Sequence, residues 1–394
     1  MQKTAVSWII YSLTQSKFML GVSVFATLFP TALVSLYGGI IADRYNRYKI
    51  LLSTQVISLL QAVLLTLSIV FFKQYAVWEI IILSAVLGTI NGFDVPARQA
   101  LIRDLIIDKA NLPNALALNS SMVNLAKLIG PVIAGFVLEK YSDVVCFGLN
   151  AVSFIPVILS LLLIKLPKAN INPKPDKNLK MEFSEAILYL KNTPEVSSVI
   201  IFVGVMGLLV LPFTTLTPVF AKDIFHGSAS TLGLIDGIIG FGALAGALFL
   251  ASLKQGTNLS GILTINTFIF GTGLMLFSQI LILPLALLFI TIGAFGMMSI
   301  RTLSNTIVQI HAPNRFRGRI ISIYFMAITT MIPIGSLLAG TASHYIGVQT
   351  TVLIEGFIAI IIAILYARYL KKDKLKKEEQ SLLQHQSEEE LIQA

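Results

Sequence analysis

The sequence predicts an all-α integral membrane protein made of two six-helix halves, the first helix cut short. Three observations carry this. Of 394 residues, 55% are hydrophobic and only 12% charged, with a mean hydropathy of +0.82, whereas a soluble domain has about a quarter charged residues. Long apolar stretches recur along the whole chain, without strand-like alternation. A basic, proline-containing break divides them near the middle. This balance excludes a soluble enzyme, a nucleic-acid reader and a disordered protein. A single cysteine, Cys146, excludes a disulfide framework and a cysteine-built metal site. The net charge of +9 reads as basic cytoplasmic loops rather than nucleic-acid affinity.

The elements follow in order. Ala5–Leu13 is an apolar run reaching only ~14 Å as a helix, half a span. It lacks the basic segment and cleavage site of a signal peptide. We expect the first helix to begin upstream, in an in-frame extension of about 20 residues. Eleven full spans are predicted at 18–41, 50–72, 77–95, 115–138, 144–165, 196–220, 229–251, 259–280, 282–303, 319–341 and 346–370, each long enough for a hydrocarbon core of ~30 Å. Loops on one side, with the tail, hold 23 Lys and Arg, and loops on the other hold 4. The positive-inside rule then places both termini and the central loop in the cytoplasm. The chain divides into an N-terminal half at 1–165, a central loop at 166–195, a C-terminal half at 196–370 and a charged tail at 371–394. Within the central loop, Met181–Lys191 has the spacing of an interfacial helix. Gly130-Pro131-Val132-Ile133-Ala134-Gly135 echoes Gly335-Ser336-Leu337-Leu338-Ala339-Gly340, which suggests a duplicated six-helix unit. The tail, basic and then acidic, reads as solvated and poorly ordered.

The most specific motif is Gly38-Gly39-Ile40-Ile41-Ala42-Asp43-Arg44-Tyr45-Asn46-Arg47-Tyr48-Lys49. Glycines let two helices approach, and Asp43 can face a helix N-terminus or a basic partner. Gly39, Asp43, Arg44 and Arg47 form a candidate gate. This stretch resembles the signature loop of the major facilitator superfamily, with Asn46 where that family usually has glycine; asparagine tolerates left-handed backbone better than most residues. The resemblance covers essentially the whole chain and implies the major facilitator fold. The equivalent loop of the second half is reduced to Leu250-Ala251-Ser252-Leu253-Lys254. Pro96-Ala97-Arg98-Gln99 and Arg315-Phe316-Arg317-Gly318-Arg319 resemble the bacterial branch of macrolide-efflux and enterobactin-export proteins. In the fifth span Ala126, Gly130, Pro131, Ala134 and Gly135 resemble the glycine-proline motif of antiporters, which a plain packing motif explains almost as well. The fourth span has Gly88 near where many family antiporters carry a membrane arginine.

Lys127, Asp236 and Glu355 stand out as ionisable groups inside spans, which are costly and usually functional. Ser120, Asn124, Lys127 and Pro131 make one polar stripe. Lys127 lies too deep to snorkel out, and Asp236 is its expected partner, because the fifth and eighth helices adjoin in the family resembled. Pro212-Phe213-Thr214-Thr215-Leu216-Thr217-Pro218 is an outer gate or a kink. The resemblance assigns the cavity to the first, fourth, seventh and tenth spans, hence Asn91, Phe213, Thr214 and Asn305 as candidate contacts. No Walker-type loop, histidine cluster or nucleophile–base arrangement is present in the sequence, so no cofactor, metal or enzymatic activity is expected. The expected activity is export of a small organic molecule, a drug or a siderophore, by a monomeric proton antiporter in the bacterial inner membrane. An uptake facilitator and a non-transporting receptor are the alternatives.

Overall fold

A computed structural model describes residues 1–72, 76–106, 108, 111–164, 179–254, 256–313 and 317–393, and all its regular elements are helical. Among the described residues, 11 helices are long and apolar enough to cross a membrane. They are α2 (Lys17–Arg44), α3 (Arg47–Phe72), α4 (Ala76–Leu105), α5 (Leu112–Lys140), α6 (Asp143–Leu163), a broken span opening with α8 (Pro194–Leu209), α10 (Ala229–Ala251), α11 (Leu259–Gln279), α12 (Leu283–His311), α13 (Arg317–Ile346) and α14 (Val348–Gln393). The shorter α1 (Gln2–Thr14) precedes them, and α7 (Leu179–Asn192) covers the predicted interfacial helix. Phe71, Leu163 and Leu248 remain exposed, as a bilayer requires and water would not favour.

Local chemistry sets the helix ends. Ser16 caps α2 by accepting from the Met19 N–H, and Gln15 makes the left-handed turn between α1 and α2 at φ 49°. Ser142 and Asn258 cap α6 and α11 through their side-chain oxygens. Asn46 does the same for α3, its Oδ1 accepting from the Tyr48 and Lys49 N–H groups at 3.0 and 3.2 Å. Asn46 is not among the left-handed residues, so its value is capping and not the backbone freedom expected of it.

Three boundaries differ from the sequence reading. Helix α4 runs through Pro96 to Leu105, so Pro96–Gln99 lies inside it rather than after it. Helix α12 continues to His311, eight residues past the predicted end at 303. The tail is not a loose segment, because α14 extends unbroken to Gln393. Arg315 and Phe316 of the branch motif lie outside the described residues.

The predicted gate-or-kink stretch is a real break. After α8 come a 3-10 turn at Leu211–Thr215, α9 (Thr217–Val219) and a π turn at Phe220–Ile224. Pro212 and Pro218 remove two backbone donors there.

Within each half, glycines set the helix spacing. A Cβ on Gly38 would come 2.1 Å from the Gly92 carbonyl oxygen, and one on Gly88 would come 2.1 Å from that of Thr27, which locks α2 onto α4. Gly39 faces open space, so Gly38 makes the close approach. In the other half Gly273 meets Gly293 between α11 and α12, and Gly271 meets Gly356 between α11 and α14.

Candidate functional site

The two halves meet along two helix pairs, α2 with α13 and α5 with α10, whose glycine-mediated approaches run from one end of the bundle to mid-depth at Gly240. On one side, Gly21 of α2 faces the Ser336 carbonyl of α13, and Gly340 of α13 faces that of Lys17. On the other, Gly135 of α5 packs on Ala229 and Gly233 of α10, while Gly237 and Gly240 pack on Leu128 and Val132. Backbones touch backbones there, so side chains cannot keep the halves apart.

Polar contacts seal the same end. Tyr11 of α1 donates to Asp223 across the halves, and the Lys222 ammonium lies 5.7 Å from the centroid of the Tyr11 ring. The Glu139 carboxylate accepts from Ser228 and Ser230 at the start of α10. At the opposite end Arg47 ties the motif loop to its own half. Arg47 donates to both carboxylate oxygens of Asp104 at 2.8 Å, to the Ala42 carbonyl at 3.0 Å and to Asp43 at 3.3 Å. Asp43 itself is 78% exposed. The seam between the halves is closed at one end, and the Asp43 carboxylate, paired with Arg47, stands exposed at the other.

Comparison with known proteins gives that geometry its family. The model for the family described as transmembrane secretion effector, a branch of the major facilitator superfamily, matches residues 1–394. The chain belongs to that family. This transporter is 28% identical over 95% of its length to a staphyloferrin A transporter of Staphylococcus aureus, 93% of which is covered. It is 22% identical to macrolide efflux protein A of Streptococcus pyogenes, over 90% of this chain and 89% of that one. Among solved structures it resembles a bacterial homologue of the lysosomal transporter Spinster, with a TM-score of 0.71 at 14% identity and 94% and 95% of the two chains covered. These findings bear out the superfamily, the fold and the character of a multi-pass membrane transporter.

The antiporter-like motif of the transporter divides between two faces of α5. Pro131 and Gly135 pack on Gly233, while Gly130 turns towards α1, where a Cβ would lie 3.8 Å from the Met1 nitrogen. Ala134 is fully buried near Cys146, and Ala126 is exposed.

The expected Lys127–Asp236 pair does not form. Asp236 accepts from Thr217 at 3.0 Å and from Thr4, with Lys3 as the nearby side-chain cation. Among the described residues Lys127 forms no ion pair with a carboxylate. The reason is geometric. Leu128, Pro131, Val132 and Gly135 form the α5 face that meets α10, and Lys127 stands to one side of that stripe, towards α1. Glu355 is buried between α14 and α11 with one carboxylate oxygen unpartnered, remote from the seam.

The cavity candidates separate. Asn91, Thr214 and Asn305 are partly accessible. Phe213 is 1% exposed and packs edge-on against Phe270 at 5.7 Å, so it belongs to the core of the second half.

Sequence reasoning missed Arg301 and Asp104. The positive-inside count took Arg301 with the basic residues around the end of the 282–303 span, yet α12 carries it ten residues short of His311, ~15 Å from that end. The signal was there: Ile300, Leu303, Ile307 and Val308 continue the helical apolar period past it. Asp104 was hidden because the fourth span was ended before Pro96.

Replacing Asp104 with asparagine should release Arg47 and cost about 1–2 kcal/mol, the scale of a charge-assisted pair. Asp43→Asn should leave stability unchanged, since the group is exposed, and still lower transport when that end has to close. Thermal unfolding and vesicle efflux, measured side by side, separate the two; equal loss of stability in both variants would refute the assignment.

Proposed function

We propose that this transporter exports a small organic molecule, of the siderophore or macrolide class, across the bacterial inner membrane by proton antiport. The observation that carries the reading is the seam closed at the Lys17 and Lys140 end, with accessible charged groups at mid-depth behind it. A major facilitator protein binds at the midplane between its halves and alternates access around that site. The distribution of Lys and Arg supports placing the open end, both termini and the central loop in the cytoplasm. In that orientation the conformation is the loading state of an exporter, working as a monomer.

Asp236 is the proposed proton carrier. It sits in the seam between α1 and the broken span, held by Thr4 and Thr217 beside Lys3. Once the seam has parted to release cargo, Asp236 takes up a proton from outside; neutral, it can be buried again as the seam closes, and it releases the proton on the cytoplasmic side before the next cargo loads.

The test is transport in inside-out vesicles. An imposed proton gradient should drive uptake of a siderophore or a macrolide, and a proton ionophore should abolish it. Cells lacking the gene should also secrete less iron-chelating material or become macrolide-sensitive. Uptake insensitive to the ionophore would refute antiport, and unchanged secretion and drug tolerance would refute export of these classes.

A further inference from the structure

A cavity in the second half takes no part in the seam. It has a volume of about 580 Å³ and lies between the α10–α11 connection and the last turn of α12, with Lys254, Asn258, Ser260, Ile307, Ile310 and His311 among its walls. Helix α11 starts at Leu259 and α12 stops at His311, so the cavity sits where the spans leave hydrocarbon for the headgroup layer.

Its polar side chains suit an anion. Asn258 uses its Oδ1 to accept from the Gly261 N–H at 3.0 Å, which leaves its amide nitrogen as a donor. His311 is held in place, since its Nδ1 donates to the Ile307 carbonyl at 2.9 Å and its own carbonyl accepts from Tyr189 of α7 at 3.2 Å. Among the described residues, neither Lys254 nor His311 forms an ion pair. Residues 250–262 and 302–313 contain no Asp or Glu, and on α7 the Glu185 carboxylate faces Arg319 at 3.8 Å.

Further cations stand at the same level. Helices α11 and α14 run antiparallel, meeting at Gly271 and Gly356, and Gln349 donates to the Ser278 carbonyl at 3.0 Å. Leu259 and Arg368 each lie twelve residues from that crossing, about 18 Å along the axes in the same direction. Arg368, Lys371 and Lys372 are exposed there, with Asp373 the one acidic residue in 366–377. Ile310, on the cavity wall, is 62% exposed, an apolar lip that a soluble anion would leave uncovered.

We propose that this cavity binds the phosphodiester headgroup of an anionic phospholipid, of the phosphatidylglycerol class, from the adjoining leaflet. Lys254, His311 and the Asn258 amide take the phosphate oxygens, an acyl chain covers Ile310, and Arg368, Lys371 and Lys372 attract anionic lipid to the rim. Neither cargo nor coupling ion enters this site.

The test is native mass spectrometry of the purified full-length protein in detergent, with dioleoyl phosphatidylglycerol, dioleoyl phosphatidylethanolamine and soluble glycerophosphoglycerol as probes. Phosphatidylglycerol should be retained saturably and about tenfold more tightly than phosphatidylethanolamine. Lys254→Gln combined with His311→Gln should weaken its binding about tenfold, while Lys140→Gln, at the opposite end of the bundle, leaves it unchanged. A second readout needs only the wild-type chain: phosphatidylglycerol with a diazirine near the glycerol end of one acyl chain should label the peptide that contains Ile310. Equal retention of the two lipids, unchanged binding in the double variant, equal weakening by Lys140→Gln, or labelling that misses the Ile310 peptide would overturn the site. Displacement by glycerophosphoglycerol as effective as by the intact lipid would make it a site for soluble phosphates and overturn the lipid assignment.

Discussion

Gly233→Val is expected to stop transport while leaving a folded, membrane-inserted protein. A Cβ at this position would lie 2.5 Å from the Pro131 carbonyl oxygen and 3.0 Å from the Gly135 Cα, and backbone atoms cannot swing aside as a side-chain end can. The clash falls between the halves, so each half can keep its own packing and move away. The closed seam is then disfavoured by the 1–3 kcal/mol typical of overpacking, and net transport should fall about ten- to hundredfold. Gly88→Val makes the contrast. Its clash, 2.1 Å from the Thr27 carbonyl oxygen, lies within one half, where α2 and α4 cannot separate without loss of the fold. Efflux and the size-exclusion profile of a fluorescent fusion, measured for both variants, decide the matter. A monodisperse Gly88→Val protein, or a Gly233→Val protein with wild-type efflux, would contradict the proposed division of the seam.

Asp236→Asn carries the second large effect. Asparagine still offers a carbonyl oxygen to Thr217 and Thr4, so the fold should persist. It cannot take up or release a proton. Gradient-driven efflux should fall about tenfold or more, whereas exchange of cargo for cargo, which moves no net proton, should continue. Loss of both activities would assign Asp236 to the scaffold. Because Asp236 is held by Thr217 and Thr4 and not by Lys127, Lys127→Met should add to Asp236→Asn rather than rescue it. Recovery in the double variant would restore the direct pair.

The spans were legible because a bilayer leaves few choices: a long apolar run must become a helix. Their ends were less so. Pro96 and Arg301 look like terminators in one dimension, and in three they sit inside helices whose apolar period continues past them. The facing of Lys127 was beyond the sequence for another reason. Its helix and the next half touch through glycines and carbonyls, so the rotation of α5 is set by backbone fit, which residue types do not spell out. Asp43 was found by its motif, yet its loop is anchored by Asp104, some sixty positions away, and no local pattern links the two.

The broken span between Pro194 and Ile224 also has a mechanical meaning. Its 3-10 turn is overwound relative to an α-helix and its π turn is underwound, so the twist gained in one is given back in the other. Flanking segments stay in angular phase, and residues can be exchanged between the two windings with little net rotation. Each residue moved from 3-10 to α geometry shortens the rod by about 0.5 Å. The segment thus behaves as a telescoping joint, able to draw Asp223 away from Tyr11 along the bundle axis while Val196, Val199 and Val203 keep their places in the core below.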